Sequence, residues 1–197
     1  MGERLGEAAL RQLFTDARTH NAWQKKDVPD DVLRQMVDLM KMGPTSANCL
    51  PGRVLFLKSE AAKQRIAPFL SEANRPKSMA APVCAILAYD TQFYEHLPRL
   101  FPHNQTARTW FEGKPEVIQA TIMRNGSLQG AYLMLAARGL GLDCGPMSGF
   151  DNAGVDKEFF PDGRVKSNFV CNFGYGDPAG LFERSPRFAF DEIAQIL

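Results

Sequence analysis

Residues Ala81 to Tyr89 form a nearly continuous apolar run, with Pro82 its one interruption. A strand with one wet face would show a polar residue at every second position. This run does not, so it predicts a strand buried on both faces. A chain built around such a strand must supply covering layers, and the segments on either side have helical patterns. Val32, Met36 and Met40 recur every four residues after Pro29-Asp30, with Leu33, Val37 and Leu39 broadening the stripe. Ala8 to Phe14 suggests an earlier helix. Ser59 can cap a helix from Glu60 to about Leu70, disturbed at Pro68. A long helix is expected from about Glu116 to Leu140, with Leu128, Tyr132, Leu135 and Ala136 on one face and Gly139 and Gly141 ending it. Val54 to Lys58 and Asn168 to Phe173 read as further strands, and a short helix is expected from Asp191. Strands separated by helices, with few hairpin signals, predict an α/β layered domain.

The expected organisation is a single domain over residues 1–197. Within it, residues 91–115 form an irregular, aromatic-rich excursion. Phe93, Tyr94, Phe101, Trp110 and Phe111 mix there with His96, Arg99, His103 and Arg108, which is unlike a linker. The chain carries 23 basic and 22 acidic residues, so charge gives no case for a nucleic-acid or membrane partner. The N-terminus lacks a basic-then-apolar signal pattern, and no apolar run approaches membrane-spanning length. Cys49, Cys84, Cys144 and Cys171 are widely spaced, without metal-ligand spacing or a disulfide pattern. A reducing, cytoplasmic setting is expected.

Four segments could carry chemistry. Gly43-Pro44-Thr45-Ser46-Ala47-Asn48-Cys49-Leu50-Pro51 joins a helix to a strand and places two hydroxyls and an amide within four residues. Two readings are open. It is an ordinary helix-ending turn, or it is a rigid polar loop that binds a flat polar ring by its hydrogen-bonding edge. The segment Gly139 to Phe150 runs from a helix end into a second Gly/Pro loop, where Gly149 can let backbone amides approach a ligand. Arg18 beside Thr19 can hold a phosphate by charge-assisted hydrogen bonds. Arg184 and Arg187 flank Ser185-Pro186 and, taken alone, read as a solvated basic turn. The chain has no G-x-G-x-x-G after a strand and no phosphate-binding P-loop motif.

The order of these segments resembles the nitroreductase-like flavoprotein family. Arg18-Thr19-His20-Asn21 matches its opening motif, and Pro44 to Gly52 its polar loop. Gln129 to Gly141 matches its small-residue helix, and Pro146 to Phe150 its Pro-x-x-Gly-Phe segment. Gly174-Tyr175 and the basic turn Arg184 to Arg187 close the series. Where the family has a second arginine, a glutamine and a tryptophan, this chain has Asn21, Leu50 and Gly52.

The resemblance implies an α+β fold, with a central mixed or antiparallel sheet flanked by helices, in an intertwined homodimer that binds FMN at its interface. It implies cofactor contacts at Arg18, Thr19 and Asn21, at Pro44, Thr45, Ser46 and Asn48, and at Pro146, Met147, Ser148 and Gly149. Arg18 with Arg184 or Arg187 would hold the phosphate, and backbone N–H groups of 147–149 would lie near the flavin N5. NADPH or NADH would be the hydride donor. Several phrases, among them Gly-Pro-Met-Ser-Gly-Phe-Asp at 145–151, are similar to the branch that reduces malonic semialdehyde in pyrimidine degradation. That small substrate needs a cation for its carboxylate and a proton donor for the alkoxide. Arg108 and His103 are the candidates for these roles. Nitro or quinone reduction stands as the alternative activity, and flavin binding without turnover as a remoter one.

Overall fold

The computed structural model describes residues 2–197. Four strands make one sheet: β1 (Gly52–Leu57), β2 (Val83–Asp90), β3 (Asp143–Met147) and β4 (Val165–Gly174). They lie in the order β1-β2-β4-β3, and each neighbouring pair is antiparallel. Eight helices accompany them among the described residues. They are α1 (Glu7–Leu10), α2 (Asp30–Met40), α3 (Glu60–Ile66), α4 (Arg75–Ala80), α5 (Leu97–Leu100), α6 (Pro115–Gly139), α7 (Asn152–Phe159) and α8 (Phe190–Ile193). Neighbouring strands are joined through helices rather than tight turns, which is why the sequence shows no hairpin signal although the sheet is antiparallel. The result is the α+β arrangement that the family resemblance implies.

All eight residues of β2 are buried, as its apolar run predicts. Alternate residues serve opposite faces. Val83, Ala85 and Leu87 meet α2 and α6 through Leu33, Met36, Met40, Leu133 and Ala137. Cys84, Ile86 and Ala88 meet the layer of α3 and α7 through Ile66, Leu70 and Val155. Each fully buried Val, Leu, Ile or Met among them contributes about 1.5–3 kcal/mol. A third cluster joins Phe93, Leu97, Phe111 and Ile122 to Cys49, so the 91–115 excursion is anchored on the start of α6. Its backbone contains short helical turns.

The helix ends follow local chemistry. Ser59 Oγ accepts from the Ala62 N–H at 3.1 Å, and Pro68 falls in a 3₁₀ turn that closes α3. α6 begins at Pro115 and ends in a Schellman arrangement: Gly141 has φ +80°, and the Leu142 N–H reaches the Ala137 carbonyl at 2.9 Å.

Two expectations are corrected. Leu128 does not lie on the buried face of α6, being 43% exposed. The buried stripe runs through Ile122, Asn125, Gly126, Gln129, Gly130, Leu133 and Ala136. Small residues and amides face the sheet because sheet side chains fill the gap. A Cβ on Gly130 would lie 2.6 Å from the Phe169 ring. Residues 143–147, read as a loop, are the edge strand β3. Pro146 lacks a ladder donor, but an edge position tolerates it. α4 and α7 were not anticipated from the sequence.

Candidate functional site

The segment after α1 is fastened to the edge of the sheet. Thr19 bridges Cys144 in parallel, the His20 N–H donates to the Cys144 carbonyl at 2.9 Å, and Trp23 bridges Gly176. The Trp23 indole lies against Gly145 and Gly174, since a Cβ built on either would come within 3.2 Å of its ring. The His20 ring is buried, with Nε2 3.4 Å from Asp143 Oδ1. This seating carries Arg18 to the mouth of a cavity of about 430 Å³. Arg138, Arg184 and Arg187 also line it, together with Thr19 and Asn21.

None of these four arginines pairs with a carboxylate among the described residues. Arg18 donates to the Phe182 carbonyl. Arg184 donates to the Thr15 and Ala17 carbonyls at 2.7 and 3.2 Å, and Arg138 to the Leu13 carbonyl at 3.0 Å. Arg187 turns back on the Ser185 and Pro186 carbonyls at 2.9 and 3.0 Å. Each guanidinium has five N–H donors, so donors remain for an anion. The C-terminal basic turn and the opening motif, some 165 residues apart in sequence, therefore share one cavity.

A smaller cavity of about 140 Å³ adjoins through Thr19 and Asn21, which line both. His20, Asn74, Lys77, Gly145, Pro146 and Met147 complete its wall. The opening motif and the Pro146–Met147 segment thus come together. Ser148 and Gly149 lie just beyond. The Gly149 carbonyl accepts from the Ser71 N–H and from Asn74 Nδ2, each at 3.1 Å.

The polar loop 44–50 lines neither cavity. Gly43 is required there for space: a Cβ would sit 2.4 Å from the Tyr132 ring. Ala47, Asn48 and Leu50 have positive φ, of 50°, 50° and 39°. Side chains from α6 hold this strained backbone. Asn125 Oδ1 accepts from the Ser46 N–H at 2.8 Å, and Gln129 Oε1 from the Gly52 N–H at 2.6 Å. Thr45 Oγ1 accepts from the Leu50 N–H at 3.1 Å, and Asn48 Nδ2 donates to the Leu100 carbonyl at 2.8 Å. Pro44 and Ser46 are exposed. Cys49 beneath the loop is fully buried, which pushes its thiol up to about 11.

His103 and Arg108 are exposed on the excursion and line neither cavity. His103 stands edge-on to Phe101, and Arg108 pairs with Glu112 at 2.8 Å. Sequence reasoning missed Arg138, Asn74, Lys77, Asn125 and Gln129. Arg138 reads from sequence as a cation compensating a helix C-terminus. The two amides read as interruptions of an apolar stripe, which was the available signal. Lys77 lies in α4, a helix that no periodicity announces, and Asn74 is the residue just before it.

Comparison with known proteins shows the family and the fold. The profile described as "Nitroreductase family" matches residues 15–175. A Burkholderia lata protein named as an NADH dehydrogenase/NAD(P)H nitroreductase is 61% identical over 192 residues, 98% of each chain. A Bacillus subtilis nitroreductase structure superposes with TM-score 0.86 at 16% identity, covering 98% of this chain and 100% of that one. An Exiguobacterium sibiricum nitroreductase, solved in complex with FMN, superposes with TM-score 0.84 at 18% identity and covers both chains completely. All three names carry the qualifier "putative".

Proposed function

Since the chain belongs to the nitroreductase family, we propose that it is an FMN-dependent NAD(P)H oxidoreductase working as a homodimer. One observation carries this reading: four guanidinium groups, none paired with a carboxylate among the described residues, line a single cavity beside the edge of β3, with Glu183 also on its wall. That donor set fits a phosphate monoester, whose oxygens accept charge-assisted hydrogen bonds from arginine forks. Arg18, Arg138, Arg184 and Arg187 would hold the phosphate of FMN. The strand Gly145–Met147 and Lys77 would then border the ring, Lys77 offering a positive charge to its polar edge. Bound there, FMN would supply two-electron hydride chemistry between NADH or NADPH and a substrate.

The homodimer is proposed from two features. Loop 44–50 lines neither cavity of its own protomer, so it meets a flavin only if a second protomer brings one. The C-terminal tail leaves Phe182, Phe188, Phe190, Ile193 and Ile196 between 57% and 87% exposed. A groove of about 700 Å³ at the free edge of β1 is lined by Leu33, Val37, Phe56 and Ala62 with Arg34 and Lys58. It offers the apolar cover that such a tail lacks.

For the substrate we propose malonic semialdehyde, on the strength of the sequence phrases similar to that branch of the family. In that reading Arg108 and His103, exposed on the excursion, meet the substrate carboxylate and carbonyl across the dimer. Nitro and quinone reduction is the second reading, favoured by the name of the Burkholderia lata relative. The purified protein should absorb as a flavoprotein and bleach anaerobically with NADPH or NADH. A colourless protein that binds no FMN on titration overturns the proposal. Steady-state comparison of malonic semialdehyde with a nitroaromatic decides the substrate, the larger kcat/KM naming the class.

A further inference from the structure

Asp90 ends β2 and is 2% exposed, yet its carboxylate is fully engaged. Oδ1 accepts from the Gln92 N–H at 2.9 Å and from Arg164 Nε at 2.9 Å. Oδ2 accepts from Arg53 Nη2 at 2.7 Å and from Arg164 Nη2 at 3.1 Å, with His96 Nε2 at 3.6 Å. The two arginines lead in different directions. Arg53 Nη1 donates to the Leu50 and Gly52 carbonyls at 3.1 and 2.9 Å, the exit of the loop whose backbone is left-handed at Ala47, Asn48 and Leu50. Arg164 Nη1 lies 3.1 Å from Glu95 Oε2, and the Arg164 carbonyl accepts from Thr91 N–H and Oγ1 at 3.0 and 2.8 Å. Those contacts hold the entry of the 91–115 excursion. The Asn48 bond to the Leu100 carbonyl closes the circuit between loop and excursion.

We infer that Asp90 is a positioning residue, tying the 44–50 loop and the 91–115 excursion into one unit that is presented to the flavin and substrate of the neighbouring protomer. Ordinary support of a strand end does not need this arrangement. A neutral side chain could cap the Gln92 N–H, whereas only a buried carboxylate can hold two arginine forks at once. Arg53 in turn spans from that carboxylate to the loop carbonyls, a reach lysine cannot copy, because a single ammonium lacks the planar fork. Strained backbone persists only where its surroundings over-determine it, and Asp90 is where those surroundings meet.

This inference rests on the proposed function for its catalytic consequence, but its structural half can be tested alone. Asp90→Asn keeps the shape and loses the charge. By hydrogen exchange, amides of 45–52 and of 91–110 should speed up together in this variant, while those of 19–24 stay at the wild-type rate. FMN content should fall far less than kcat/KM, since Asp90 lines neither cavity. kcat/KM for the oxidising substrate should fall roughly ten- to a hundredfold, as for a group displaced by about 1 Å. Arg53→Lys should keep the thermal midpoint near wild type yet show the same loss. Arg65→Met, which breaks the distant pair with Glu158, serves as the control and should change neither readout. Exchange confined to residues flanking position 90, or a folded Asp90→Asn protein with wild-type kcat/KM, overturns the inference. A wild-type protein that binds no flavin sinks the functional reading instead, and the joint or separate response of the two segments still decides the tie.

Discussion

The arginine cavity and the 44–50 loop are both rich in polar side chains, and they use them in opposite ways. In the cavity, each guanidinium group donates to one or two backbone carbonyls, which leaves donors to spare. In the loop, Thr45 and Asn48 are spent on the chain's own backbone, and α6 lends Asn125 and Gln129 to finish the work. A polar side chain in a loop therefore points to a ligand only after its internal obligations are counted. By that test the cavity would bind a ligand through side chains. The loop can offer a ligand mainly its exposed backbone and the Ser46 hydroxyl.

The sharpest way to break this contrast is to remove two cavity arginines together. Arg18→Ala with Arg184→Ala should cost FMN roughly a hundredfold or more in affinity, as charge-assisted bonds each contribute about 1.5–3 kcal/mol. Riboflavin lacks the phosphate and should bind the variant as it binds wild type, by fluorescence titration. Equal loss for both ligands would show that the cavity does not read phosphate.

The loop side predicts a stability effect instead. Asn125→Ala leaves the Ser46 N–H without its partner and should lower the urea unfolding free energy by about 1–3 kcal/mol. Its ratio of FMN to riboflavin affinity should match wild type. Thr45→Val removes one acceptor and should cost about 1 kcal/mol by the same assay. A changed FMN-to-riboflavin ratio in either variant would place the loop at the phosphate.

Acid should find the loop before the cavity. Burial pushes the Asp90 carboxyl up, but Arg164, the Gln92 N–H and Arg53 outweigh it and hold the group below the usual carboxylate value. Its stabilisation is complete above the unfolded carboxyl's pKa of about 3.9 and drains away as pH falls below that through the lower folded value. Urea midpoints between pH 5 and 2 should fall more steeply for wild type than for Asp90→Asn. The smallest effect concerns the thiols. Burial pushes Cys49 up to about 11 and Cys84 up to about 12, and raises Cys171 further from reach. All four cysteines are buried, so the native protein should not react with a thiol-specific disulfide reagent at pH 8, and the unfolded chain should release four equivalents.

Much of the fold is legible in the chain because it rests on period and punctuation. The unbroken run at β2, the Ser59 cap and the Gly141 stop each act locally, and each does what its sequence says. β3 was missed for a physical reason: its five residues are Asp-Cys-Gly-Pro-Met, and what makes them a strand is the partner β4, not their own preference. The buried face of α6 was misread because Gly126 and Gly130 are deep contacts without bulk, whereas Leu128 has bulk and faces out. At the site, Arg18 and the Arg184–Arg187 turn were visible as chemistry, but their meeting was not, because a fold of this length must bring them together first. Arg138 was hidden in the last turn of a helix, where a cation already has a use.

The bare α-carbon of Gly145 has a consequence for anyone who re-engineers this protein. A methyl group there would stand 2.6 Å from the His20 carbonyl, so position 145 and the 18–21 segment are locked to each other. A saturation library over residues 143–149 should return glycine alone at 145 while accepting many residues at the exposed 148. Attempts to reshape the proposed cofactor end by point changes will meet that wall first, and routes around it must move both segments in one step.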